Sequence, residues 1–251
     1  MKRARFYAAG VFHEGVLDGD GFLVDEAGRL HDPDKVMFLP PVAPGKVIGL
    51  ALNFADHAAE LGLAEPPAPA LFFKPSNSWV GHKAPVVYPQ GAEYMHYEIE
   101  LAVVMGRRAR RVAAADALDY VKGYTIANDV TVRDYITNYF RPPVKAKGWD
   151  SFGPLGPYLV DKADLPDPGN VDLRVYVNGE LRQQGNTRDL IRSCQELIAY
   201  ISEFMTLEEN DIILTGTPKG LSPVSPGDVM RLEIDAIGAL VNPVVAESEE
   251  G

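Results

Sequence analysis

Along this chain apolar residues recur mostly at every second position and less often at the three-to-four spacing of a helix, so the pattern predicts more strand than helix. Residues 4–39 hold short strand-like pieces separated by the turn signals HEG, DGDG, DEAGR and HDPD, which predicts a small β meander ending at a linker of Pro40, Pro41, Pro44 and Gly45. KVIGLAL then reads as a buried strand leading into a short helix in NFADHAAELGL, with Asn53 as its candidate cap. ALFFKP, PVVYP and the long YEIELAVVMG read as strands, AAADALDYVKG as a helix and GYTIANDV as another strand. Asn178-Gly179 is a hairpin signal inside VDLRVYVNGELRQQG. Leu190, Cys194, Leu197, Ile198, Ile201 and Met205 share one face of a helix predicted over residues 188–205, and DIILTGTP and two final strands across SPGD follow. The expected class is α+β, mostly β, with a small N-terminal β domain at 1–45 and a main domain at 46–251.

Composition narrows the function. With 251 residues, 46% of them hydrophobic, the chain can bury a full core. A net charge of -11 argues against non-specific nucleic-acid binding, so an anionic substrate must meet local positive charge. The one cysteine, Cys194, cannot form an internal disulfide and lies on the predicted helix face as a core residue. MKRARFYAAG lacks a signal-length apolar stretch and no window suggests a membrane span, which makes the cytoplasm the expected location.

The strongest chemical feature is the run YMHYEIELAVVM. Alternation on a strand puts Glu98 and Glu100 on one face, where two like charges need a cation. Asp129 in ANDVTVRD can supply a third oxygen, and three carboxylates without His or Cys describe a hard-cation site for Mg²⁺, Mn²⁺ or Ca²⁺. His57 and Glu60 lie three apart in NFADHAAE and can share a helix face as an acid/base pair, although spacing alone favours a surface pair. Lys147, in an apolar turn-rich stretch, can meet a carboxylate or an oxyanion. TGTPKG follows a strand and offers backbone N–H groups with the Thr215 and Thr217 hydroxyls, without the spacing of a nucleotide loop. His13, His31 and His82 show no ligand spacing, whereas His96 falls on the face of Glu98 and Glu100.

In order along the chain, LNFADHAAE, LFFKPSNSWVG, EYMHYEIELAVVMGRRAR, VKGYTIANDVTVRD, AKGWDSFGPLGP, VNGELRQQGNTRDLI, ISEFMTL and DIILTGTPKG resemble the fumarylacetoacetate hydrolase family over residues 46–245. The motifs look most like its homoprotocatechuate-degrading branch, whose members act as 5-oxopent-3-ene-1,2,5-tricarboxylate decarboxylase and 2-hydroxyhepta-2,4-diene-1,7-dioate isomerase. The resemblance implies a mixed β-sandwich roll, a homodimer, and Mg²⁺ or Mn²⁺ held by Glu98, Glu100 and Asp129. It also implies a lid helix carrying His57 and Glu60, a catalytic lysine at Lys147, and substrate contacts from Thr217 and Arg133.

Two positions depart from the family pattern. Ile136 stands where many hydrolytic and oxaloacetate-decarboxylating members have Gln, which favours decarboxylase or isomerase chemistry over hydrolysis. Trp149 stands where the homoprotocatechuate enzymes tend to carry Arg, leaving Arg141, Lys145 or Lys219 as candidates for a distal substrate carboxylate. The expected reaction is decarboxylation or double-bond isomerisation of a 2-oxo or 2-hydroxydienoate di- or tricarboxylate through an enolate. Acylpyruvate hydrolysis, oxaloacetate decarboxylation and non-catalytic binding of a metal or 2-oxo acid are the alternatives.

Overall fold

Seven consecutive buried residues in Ile99–Met105 place that strand deep in the protein, and its alternation sorts them onto two faces. Ile99, Leu101, Val103 and Met105 join the main hydrophobic core, while Ala102 and Val104 join a smaller cluster with Ala127, Leu155 and Leu214. Glu100 therefore points away from the main core. The computed structural model describes residues 1–136 and 142–248 of the chain.

The strand lies inside one long sheet. From edge to edge this sheet runs Leu30–His31, Leu23–Asp25, Val11–Leu17, Lys2–Ala8, Gly153–Asp161, Val121–Asn128, Ile99–Met105, Ile212–Leu214, Val47–Ala51 and Ala70–Lys74. A second sheet, Glu180–Asn186, Asp172–Val177, Val229–Ile234, Gly238–Ala246 and Val86–Tyr88, packs across it. Leu173, Val175, Leu232 and Leu240 of that sheet meet Leu101, Val103 and Ile126 in a shared core. In a third, three-stranded sheet, Met95–His96 lies between Thr131–Val132 and Pro223–Val224. This is the mostly β, layered architecture that the alternation predicts.

The N-terminal meander forms as expected and has its own small core of Ala4, Phe6, Leu23 and Phe38. It is hydrogen-bonded into the long sheet, since Lys2 and Arg3 pair with Val160 and Leu159. Asn178 and Gly179, at φ 53° and 84°, make the predicted hairpin turn.

Three local expectations are corrected. Asn53 does not cap the following helix α1 (Ala55–Glu60), whose N-cap is Phe54 without a side-chain bond. The Asn53 amide instead donates to the carbonyls of Arg192 and Thr215 and accepts from the Arg192 N–H, which ties the start of α1 to two distant loops. After a second short helix, α2 (Val144–Lys147), the third, α3, spans Cys194–Phe204 rather than beginning near residue 188. Ser193 and Glu196 close a capping box there, and Leu190 is drawn into a bridge with Phe54. Residues 114–120 form a 3₁₀ helix, not an α-helix. Among the described residues no helix is long and apolar enough to cross a membrane.

Candidate metal centre and active site

Antiparallel pairing assembles the carboxylates. Glu100 lies opposite Ala127 and Ile99 opposite Asn128, so the chain leaving one strand at Asp129 runs beside the chain entering the other at Glu98. Glu98 sits just before its strand, held by the Asn128 side chain, which accepts its N–H at 3.0 Å; its carbonyl accepts the Asp129 N–H at 2.9 Å. One oxygen each from Glu98, Glu100 and Asp129 lies within 4.8 Å of the other two, and all three residues are buried.

Two ammonium groups face this cluster. Lys147, on the last turn of α2, donates to Glu98 Oε2 at 2.8 Å, Asp129 Oδ2 at 2.5 Å and Thr131 Oγ1 at 2.8 Å. Lys74, which sequence reasoning missed, donates to Asp129 Oδ1 at 2.6 Å and to the Lys147 carbonyl at 2.8 Å. Asp129 is thus gripped from both sides. The only sequence signal for Lys74 is a cation ending the apolar run ALFF, a position that reads equally as the exposed end of a strand.

Charges sort the titrating groups. Burial works to raise Glu98, yet Lys147 and His96 outweigh it and hold the carboxyl down at about 2. Glu100 is pushed well above its ordinary value by burial and by the Asp129 and Glu98 charges; Gly216 N–H, donating at 2.5 Å, offsets only part of this. Burial also opposes the charge on both lysines. It prevails at Lys74, whereas the two carboxylates facing Lys147 raise that residue above its ordinary value. His96 is fully buried with Nδ1 3.1 Å from the Tyr97 carbonyl and 3.7 Å from Glu98, and burial lowers it to about 4.

Helix α1 lies over the same place. His57 Nδ1 is 3.1 Å from Glu60 Oε2, and Glu60 Oε1 accepts the Gly220 N–H at 3.0 Å, so one carboxylate links the imidazole to the TGTPKG loop. That loop spends its donors on the protein's own acids, Gly216 on Glu100 and Gly220 on Glu60, rather than presenting them as an anion cradle. Gly216 needs its lack of a side chain, because at φ +96° a Cβ would also stand 2.9 Å from Asn53 Cβ. Thr217 Oγ1 accepts from Gln183 Nε2 at 2.9 Å, a support the sequence did not signal.

A single pocket is lined by His57, Glu98, Arg133, Lys147 and Thr217, with Leu50, Leu61, Leu71, Phe72, Ile136 and Pro143 on its apolar walls. Residues 46–245 match the family described as fumarylacetoacetate (FAA) hydrolase C-terminal. The chain belongs to the fumarylacetoacetate hydrolase family. It is 52% identical over 208 residues to a 4-hydroxyphenylacetate degradation bifunctional isomerase/decarboxylase of Salmonella dublin, covering 83% of this chain and 48% of that protein. The chain therefore spans about half the length of the curated relatives it first matches. Among solved structures, 5-carboxymethyl-2-hydroxymuconate delta-isomerase from Mycobacterium smegmatis superposes with a TM-score of 0.89 at 37% identity, covering 99% of this chain and 100% of that one. A maleylpyruvate hydrolase from Sphingobium sp. SYK-6, in complex with manganese (II) ion and pyruvate, superposes with a TM-score of 0.83 at 31% identity, covering 99% and 100%.

Within this fumarylacetoacetate hydrolase fold the donor set fits a hard divalent ion. All three candidate ligands are carboxylates, all are buried, and Glu100 lacks a cation of its own. The substrate end is less polar than the resemblance implies. Trp149 does not line the pocket: its indole N–H donates to the Lys145 carbonyl at 2.6 Å and its ring stacks on Tyr135. Lys145 lies over the Tyr135 ring, 4.1 Å from its centre, and Lys219 is not a lining residue. Arg141 falls outside the described residues. Among the described residues, Arg133 is the cation that reaches the pocket beside Lys147.

Proposed function

We propose that this chain is a divalent-metal-dependent decarboxylase and isomerase of a 2-oxo or 2-hydroxydienoate di- or tricarboxylate from aromatic catabolism. The observation that carries the reading is the convergence of His57, Arg133, Lys147 and Thr217 on one pocket with Glu98, beside Glu100 and Asp129. Glu98, Glu100 and Asp129 would hold Mg²⁺ or Mn²⁺. When bound, such an ion supplies a Lewis acid that draws electrons from a chelated 2-oxo acid.

The chain's own groups do the rest. Glu60 fixes His57 through Nδ1, leaving Nε2 to take a proton from one substrate carbon and return it to another, or to protonate the carbon that has lost CO₂. Lys147 stabilises charge on a substrate oxygen, and Arg133 pairs with a substrate carboxylate. Helix α1, latched to the loop at Gly220 by Glu60, excludes water while this happens. The functional unit in this reading is a homodimer working in the cytoplasm, and sedimentation of the purified chain tests the dimer.

The deciding assay follows CO₂ release from 5-oxopent-3-ene-1,2,5-tricarboxylate and the double-bond shift of 2-hydroxyhepta-2,4-diene-1,7-dioate in Mg²⁺ or Mn²⁺. Turnover of neither compound removes the proposal. Full turnover by both His57→Ala and Glu60→Ala removes the lid assignment. The apolar walls at Leu50, Leu61, Leu71 and Phe72 favour a second reading, hydrolysis of an acylpyruvate with an uncharged tail. Faster cleavage of such acylpyruvates than of the tricarboxylate selects it.

A further inference from the structure

Far along the long sheet from the pocket, the N-terminal meander gathers another set of metal-ligating side chains. His13, Asp25 and His31 come from three neighbouring strands, Val11–Leu17, Leu23–Asp25 and Leu30–His31. Pairing of Gly15 with Asp25 and of Leu23 with His31 brings them together, so their spacing in the sequence follows no motif. One donor atom from each lies within 4.8 Å of the other two. His13 Nδ1 and His31 Nε2 are 3.1 and 3.0 Å from the same oxygen, Asp25 Oδ2. Ligands about 2.0–2.1 Å from a tetrahedral Zn²⁺ stand about 3.3 Å apart, so each nitrogen already lies near that spacing from Asp25 Oδ2.

The surroundings favour a cation there. Phe6 holds both rings, stacked on His13 and edge-on to His31. The Ala27 and Arg29 N–H groups donate to Asp25 Oδ1 at 3.0 and 2.9 Å, which aims the other oxygen at the imidazoles. A cleft reaching His13 and Asp25 carries two further carboxylates, Glu14 and Glu26, on its walls. A positive group is already present: Arg29 Nε donates to Asp25 Oδ2 at 2.7 Å and Nη2 lies 3.4 Å from His13 Nδ1. The Arg29 side chain is 63% exposed, so it can swing into solvent when a metal arrives.

We infer that His13, Asp25 and His31 form a second metal site, selective for Zn²⁺, that clamps three strands of the meander. Two imidazole nitrogens and one carboxylate suit Zn²⁺ far better than Mg²⁺ or Mn²⁺, the reverse of the all-oxygen cluster at Glu98, Glu100 and Asp129. Binding takes His31 in the neutral tautomer that leaves Nε2 free to ligate, and the fourth position of the ion is left to water. The site is independent of the catalytic reading.

The test titrates Zn²⁺ alone into the full chain held in excess Mg²⁺, by calorimetry and by thermal unfolding. The expected result is one Zn²⁺ per chain with a rise in Tm. His31→Gln, which keeps a donor for Asp25, loses both, whereas Asp129→Asn in the other cluster keeps both. Arg29→Met, with its fold checked by circular dichroism because it takes one partner from buried Asp25, binds Zn²⁺ about tenfold tighter because the competing cation is gone. Absence of Zn²⁺ binding, binding that survives His31→Gln or vanishes in Asp129→Asn, or unchanged affinity in Arg29→Met would overturn the assignment.

Discussion

Asp129 carries more of the site than any other residue, because each of its oxygens is bonded to a different buried ammonium. Lys74 and Lys147 look equivalent in charge but differ in consequence. Lys147 lies between two candidate metal ligands, where it competes with an incoming ion, whereas Lys74 donates to Asp129 and the Lys147 backbone. Lys147→Met should therefore bind Mn²⁺ at least as tightly as the parent chain while kcat falls by about 10²-fold or more, a split that calorimetry and steady-state kinetics resolve. Lys74→Met should cost roughly 3 kcal/mol of stability without metal, since it removes one of the two cations that hold buried Asp129, and added Mn²⁺ should recover much of that loss in urea unfolding. If metal fails to rescue Lys74→Met, Asp129 is not a ligand.

Helix α3 shows how an element's end can be fixed by one side chain. Ser193 Oγ accepts the Glu196 N–H while Glu196 Oε2 accepts the Ser193 N–H at 2.8 Å. Ser193→Ala should lower stability by about 1 kcal/mol with the pocket unchanged, so that Tm drops and KM does not. The apolar spacing alone carried the predicted helix back to residue 188, because Leu190 falls on the right face; the backbone instead bridges Phe54 there. Strand identities and the Asn178-Gly179 turn were legible, since alternation and turn chemistry are local. Glu98, Glu100 and Asp129 were legible as a group because alternation on one strand and the end of an apolar stretch are both visible in the chain. Lys74 and Gln183 meet their partners through side-chain contacts between residues far apart in sequence, and the meeting of His13, Asp25 and His31 depends on the register of three successive strands, neither of which leaves a local trace.

At the scale of the molecule the net charge of -11 makes the pocket's cations a local exception that an anionic substrate can use. The same scale contains a pH-sensitive joint. The loop at residues 81–84 is clipped to the strand Gly238–Ala246: His82 Nδ1 accepts the Val241 N–H at 3.0 Å, and Asn242 Nδ2 donates to the Gly81 and Ala84 carbonyls. The His82 ring also meets Phe38 of the meander, 5.0 Å between centres, so the loop joins the meander to the second sheet. Burial, helped by the Lys83 and Arg231 charges, pushes His82 down to about 4 from an ordinary 6.5. An unfolded chain takes up the proton first, so His82 contributes fully above pH 6.5 and loses that contribution as pH falls toward 4. The change is on the order of 2–3 kcal/mol across the window. His82→Asn keeps an acceptor for Val241 but cannot titrate. The stability gap between parent and variant should therefore shrink or reverse from pH 7 to pH 4.5 in urea unfolding, and parallel curves would show that the joint does not sense acid.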